Sequence, residues 1–149
     1  MRLIMHKRQD QEIPEVIIAY REITDQVKRV ADFVRHADLT VLCRKEEKEY
    51  SVPVSEIYYV ECVDKKSFVY CRTEVYQSSC RLYELEAMLC PAGFVRVSKS
   101  VILNIERMQG VKKLVNSRLE ALLSNGERIC VTRKYLKDIR EALLRRNIG

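Results

Sequence analysis

The feature that most constrains this chain is a change of hydrophobic period at Leu39. Beyond it the apolar residues fall into short runs of Val, Tyr, Ile, Leu and Cys, broken by charged or Pro-containing segments. Short β-prone runs between turn signals are the pattern of strands that each bury one face. Residues 39–43, 49–54, 57–63 and 68–73 read as four strands, with Asp64-Lys65-Lys66-Ser67 as the hairpin connection between the last two. Leu82, Leu85, Glu86 and Leu89 repeat at helical spacing, and Pro91 and Gly93 close that short helix. After Phe94-Val95-Arg96-Val97 come three further strands, residues 111–115, 118–123 and 128–131, joined at Asn116-Ser117 and Asn125-Gly126. Asn-Gly tolerates the positive φ of a type I′ turn at both positions, so a β-meander is expected. Thr132 is placed to cap a last helix whose Tyr135, Leu136, Ile139, Ala142 and Leu143 face the core, with Arg140, Arg145 and Arg146 toward its C-terminal end.

The first 38 residues read differently. Val16-Ile17-Ile18-Ala19-Tyr20 is a short β-prone run, and Thr24 precedes a helical pattern with Val27, Val30, Ala31 and Val34 on one face. One strand and one helix cannot bury their apolar faces alone, so residues 1–38 are expected to be an extension that packs on the main domain, residues 39–149, or on another subunit. The fold class is mainly β, of α+β type, with short helices and this strand-helix appendage.

Composition narrows the function. With 47% hydrophobic and 32% charged residues the chain has the balance of a soluble globular protein. No apolar run approaches the roughly 20 residues that span a bilayer, and residues 1–13 are too polar for a signal-peptide core, which points to the cytoplasm. The six cysteines (Cys43, Cys62, Cys71, Cys80, Cys90 and Cys130) lie in strand-like stretches without paired spacing, so buried free thiols are expected rather than a disulfide framework. No Cys-x-x-Cys occurs, and His6 and His36 lie outside the cysteine-rich region, so neither a metal nor any other cofactor is expected. Both histidines lie in the N-terminal extension, four glycines form no phosphate loop and no nucleophile–base arrangement stands out, which argues against an enzyme. The net charge of +6 is uneven. Residues 94–149 carry thirteen Lys or Arg against five Asp or Glu, while residues 1–93 carry fourteen against sixteen. A local excess of this kind concentrates a polyanion at one surface.

Four stretches carry a resemblance. "VPVSEIYYVECVDKKSFVY", "RLYELEAML", "FVRVSKSVILNI" and "LSNGERICVTRKYLKDIREAL", in that order, resemble the LytTR DNA-binding domain family over about residues 39–144. The third is the most specific, with Phe94, Arg96, Val97, Ser98-Lys99, Ser100, Ile102, Leu103 and Asn104 matching the family pattern in order and spacing. The resemblance implies an elongated domain of β-strands whose loops and strand ends enter successive major grooves of double-stranded DNA, with a minor-groove contact between them. It also implies sequence-specific binding and a role in bacterial transcription regulation. The implied DNA-reading groups are Lys65, Lys66 and Ser67, then Ser98, Lys99 and Ser100, then Thr132 and Arg133. Some members carry histidine where Ser67 stands, and asparagine or arginine where Lys99 stands, so the resemblance carries over no target sequence.

The chemistry of those residues fits. The lysines neutralise phosphates, the short hydroxyls donate to phosphate oxygens at little ordering cost, and an arginine fork matches O6 and N7 of guanine. Thr132 either contacts phosphate or caps the last helix. Asn104 reads as structural, closing backbone hydrogen bonds at a bend, and Phe94, Ile102 and Leu103 read as core anchors. A module that binds RNA or single strands is the alternative; it needs an exposed aromatic face, for which Tyr58, Tyr59, Phe68 and Tyr70 are the candidates. A protein-interaction adaptor built on the N-terminal segment is compatible with either. About 38 residues precede the domain, below the usual domain minimum of about 50, so no receiver domain is expected there. The resemblance is thus to short, receiver-less regulators, controlled by abundance or by a protein partner such as a membrane protein, with a homodimer as a further expectation.

Overall fold

The computed structural model describes residues 1–148, and the side chains of all of these except Ser117 and residues 145–148. Ten strands form two antiparallel sheets, and three helices lie around them.

The larger sheet has the order β2-β1-β5-β4-β3-β7-β6. Its members are β1 (Thr40–Lys45), β2 (Lys48–Pro53), β3 (Tyr59–Val63), β4 (Lys66–Tyr70), β5 (Val75–Ser78), β6 (Phe94–Arg96) and β7 (Val101–Asn104). The smaller sheet is a meander of β8 (Met108–Lys113), β9 (Leu119–Leu123) and β10 (Arg128–Val131), as its sequence pattern predicts. Alternation along the central strands divides the core in two. Val60, Val69, Phe94 and Ile102 bury one face of the large sheet beneath α2 (Leu82–Leu89), whose Leu82, Leu85 and Leu89 fill that layer. Tyr59, Val95 and Leu103 bury the other face against Leu119, Ala121 and Leu123 of the small sheet and Ile139 of α3 (Leu136–Ile148). The face expected of the last helix is the one observed, with Tyr135, Leu136, Ala142 and Leu143 packed around Ile139. Arg145 and Arg146 lie outside the described side chains.

Five local features depart from the sequence reading. Residues 16–20 form no strand, because no other segment pairs with them: Val16, Ile17 and Tyr20 are exposed, and an unpaired extended segment has no ladder to hold it. The helix that follows is α1 (Asp25–His36), capped by the Thr24 hydroxyl as its sequence requires, but none of its residues is fully buried. The strand β5, which the sequence pattern does not reveal, stands between β1 and β4; its four residues bury only Ser78, too little for a hydrophobic signature. The β9–β10 connection is not a type I′ turn. Gly126 has φ 90° but Asn125 is not in the left-handed region, and the Asn125 side chain instead accepts the Glu127 N–H at 3.1 Å. Paired positive φ values occur at Glu46-Glu47 and at Asp64-Lys65. Finally, Arg133–Tyr135 forms one 3-10 turn ahead of α3, and Thr132 donates its N–H to Val97 O rather than capping through its side chain.

Candidate nucleic-acid interface

Three connections, far apart in sequence, meet at one end of the large sheet. The β3–β4 hairpin closes with Val63 opposite Lys66, which leaves Asp64 and Lys65 as a two-residue turn with φ values of 51° and 65°. These are the paired positive angles a type I′ turn requires, and they match the right-handed twist of the flanking strands. Lys66 and Ser67 are thus residues of β4, not of the connection expected from the sequence. Lys65 and Lys66 are exposed, whereas Ser67 is only 3% exposed. Ser67 shares the α2 face of the sheet with Val69, and Lys66 lies on the opposite face. The hydroxyl expected to reach phosphate from a hairpin tip is instead at the floor of a groove.

The second connection, residues 97–100, joins β6 to β7. It is tied to β3 by the Cys62 N–H, which donates to Ser100 O at 2.8 Å, and to the third connection by the Thr132 N–H, which donates to Val97 O at 3.0 Å. Ser98 turns its hydroxyl inward to accept the Ser100 N–H at 3.3 Å, leaving the Lys99 side chain exposed. The third connection carries Arg133, exposed, with one guanidinium N–H directed at Asn116 O, 3.4 Å away in the β8–β9 turn. All three sequence-predicted segments therefore converge, with Lys65, Lys66, Lys99 and Arg133 presented to solvent and the hydroxyls set between them.

Arg96 organises this end of the molecule, a role that sequence reasoning missed. Its side chain is 20% exposed, its Nε–H donates to Ser98 O at 2.8 Å, and its two terminal nitrogens bond Lys99 O and the Glu86 carboxylate of α2. One planar fork thus holds two consecutive carbonyls of the loop and anchors them to a helix, which a single ammonium could not do. The available signal was an arginine placed between Val95 and Val97 in an apolar run, where an unpaired charge is costly. Asn104, by contrast, behaves as its sequence context suggests. It is buried, donates to Ile57 O at 2.8 Å and accepts the Glu106 N–H at 3.0 Å.

Between the 97–100 loop and the first turn of α2 runs a groove of about 360 Å³. Lys65, Ser67, Arg96, Lys99 and Ser100 line one side, and Arg81 and Tyr83 the other. Of the four aromatic candidates for a single-strand platform, Tyr58 and Tyr59 are buried and Phe68 and Tyr70 are half-buried, with Tyr59 stacked on Tyr70 at 4.3 Å between ring centres. Burial and the neighbouring Glu127 push the Tyr59 hydroxyl pKa up, so it stays protonated. Burial likewise raises the thiols of Cys43 and Cys71 to about 11. All six cysteines are free thiols, and no cluster of metal ligands occurs among the described residues.

The family model of the LytTr DNA-binding domain matches residues 47–144. The chain is 29% identical over 98 residues to the sensory transduction protein LytT of Enterococcus faecalis, a stretch that covers 66% of this chain and 40% of that protein. It is 27% identical over 105 residues to the transcriptional regulatory protein YpdB of Escherichia coli K12, covering 70% and 43%. The chain thus spans less than half the length of these curated relatives. A solved LytTr DNA-binding domain from Bacillus cereus superposes with a TM-score of 0.66 at 27% identity, over 70% of this chain and 95% of that one.

Proposed function

The chain belongs to the LytTR DNA-binding domain family, and from that premise we propose that it binds double-stranded DNA sequence-specifically and regulates transcription in the bacterial cytoplasm. The observation that carries this reading is the convergence of the three connections through the Cys62–Ser100 and Thr132–Val97 backbone bonds. That convergence supports a single continuous contact surface. Lys65, Lys66 and Lys99 neutralise phosphates, Ser98, Ser100 and Thr132 supply short donors that position the backbone, and Ser67 supports the surface from beneath. Arg133 is the base-reading group: its exposed fork has donors beyond the one aimed at Asn116, and a bidentate pair with guanine uses two.

The buried placement of Tyr58 and Tyr59 speaks against the single-strand alternative. No catalytic chemistry is assigned. Residues 1–38 act as an extension outside residues 39–149, and their exposed Ile13, Ile17, Ile23 and Phe33 suit a homodimer or a regulatory protein partner, a membrane protein included. No helix among the described residues is itself long and apolar enough to cross a membrane.

Selection of bound sequences from a random duplex pool tests the central reading. Enrichment of one sequence, with single-stranded DNA failing to compete for it, is the expected result; a pool that stays random, or equal competition by single strands, overturns it. Sedimentation of the full chain beside one lacking residues 1–37 tests the extension, with a loss of oligomer mass or of solubility expected on truncation.

A further inference from the structure

The groove beside α2 has the chemistry of an anion seat. Lys65, Arg81 and Lys99 surround it, and none of the three has a carboxylate within ion-pairing distance among the described residues. Arg96 is different. Its charge is answered by Glu86, and two further N–H groups are held by Ser98 O and Lys99 O. The groove thus holds one neutralised, anchored guanidinium and has unpaired cations on both sides, from the strand connections and from the start of the helix. Tyr83, 69% exposed on the helix side, adds a hydroxyl that can donate. Arg81 holds its position because its own N–H is taken by Glu84 at 3.0 Å and its carbonyl accepts from Glu84 and Leu85, so the guanidinium projects from a fixed backbone.

We infer that this groove seats one phosphate of the DNA backbone, with Arg81, the N-cap of α2, as a contact and Tyr83 as a second donor. This rests on the reading of the protein as a duplex-binding domain and extends the contact surface onto α2. A phosphate held between Arg81 and Lys65 or Lys99 would lock the strand connections to the helix while DNA is bound.

The test is a titration of a labelled mixed-sequence duplex with the full chain and its variants at several salt concentrations. Arg81→Ala should lower the salt slope by about 0.9, so that its affinity deficit shrinks about 3.5-fold between about 50 and 200 mM salt. Arg81→Lys should keep the wild-type slope, and Arg72→Ala, at the opposite end of β4, should match wild type in both affinity and slope. Thermal melting of each variant checks that the fold persists. An Arg81→Ala slope equal to wild type overturns the inference while leaving duplex binding intact. Failure of the wild-type chain to bind any duplex removes the underlying reading instead. Inorganic phosphate supplies the other arm: if it shifts the Arg81 side-chain resonances while Arg81→Ala leaves the duplex slope unchanged, the seat belongs to a small phosphorylated ligand and the DNA assignment is wrong.

Discussion

Replacing Arg96 by lysine keeps the charge and removes the fork. The guanidinium donates to Ser98 O at 2.8 Å, to Lys99 O and to the Glu86 carboxylate, and an ammonium on a lysine stem can keep the Glu86 contact but not both carbonyls. At least one hydrogen bond from a charged donor is lost, worth about 1.5 to 3 kcal/mol where water is excluded. At 20% exposure of the side chain water restores part of this, so a net loss of about 2 kcal/mol is expected. For a chain of this length that lowers the melting temperature by about 4 to 8 °C. The functional cost is larger than the charge change implies. If even one loop residue must be ordered on binding, at about 1 to 2 kcal/mol of backbone entropy, duplex affinity falls about 5- to 30-fold. Thermal unfolding by circular dichroism, amide exchange at Lys99 and Ser100, and duplex titration measure the three effects. An Arg96→Lys protein with unchanged melting, exchange and affinity would refute the reasoning, because every donor counted above would then be dispensable.

The buried amide is next. Asn104→Ala leaves Ile57 O and the Glu106 N–H without partners, which should cost about 2 to 4 kcal/mol in denaturant unfolding; a loss under about 1 kcal/mol would mean that water enters the site. For Cys43 the sign follows from burial, which raises its thiol from 9.0 to about 11. Between those values the unfolded chain binds fewer protons than the folded one, so stability is flat below pH 9 and falls from there toward pH 11, by up to about 3 kcal/mol for this thiol. Denaturation curves across that range check it. Exposed Cys130 should be alkylated well before Cys43, and duplex binding should survive chelator and reductant together.

How much was legible beforehand depends on how local each signal was. The meander, α2 and the core face of α3 follow from periodicity and turn residues, which act over a few positions. The β5 strand was invisible because it is held by its neighbours β1 and β4 rather than by apolar residues of its own. The run 16–20 shows the converse, since β-prone residues without a partner strand do not make a strand. At the site, motif order brought Lys65, Lys99 and Arg133 forward, but not the burial of Ser67 or the separation of Lys65 from Lys66. Those depend on where the two-residue turn closes, and a shift of one residue exchanges the faces of the sheet. The role of Arg96 is not legible in its motif because its three acceptors come from a helix and a loop that only the fold brings together.

The central claim, sequence-specific binding of double-stranded DNA with separate positioning and reading residues, is tested most directly by titrating Lys66→Ala, Lys99→Ala and Arg133→Ala on a selected operator and on a scrambled duplex at several salt concentrations. Each lysine variant should weaken both duplexes alike and lower the salt slope by about one unit. Arg133→Ala should lose about 1 to 3 kcal/mol mainly on the operator, narrowing the ratio between the two duplexes. Equal weakening of both duplexes by Arg133→Ala, together with selective loss of the operator by a lysine variant, would contradict the account.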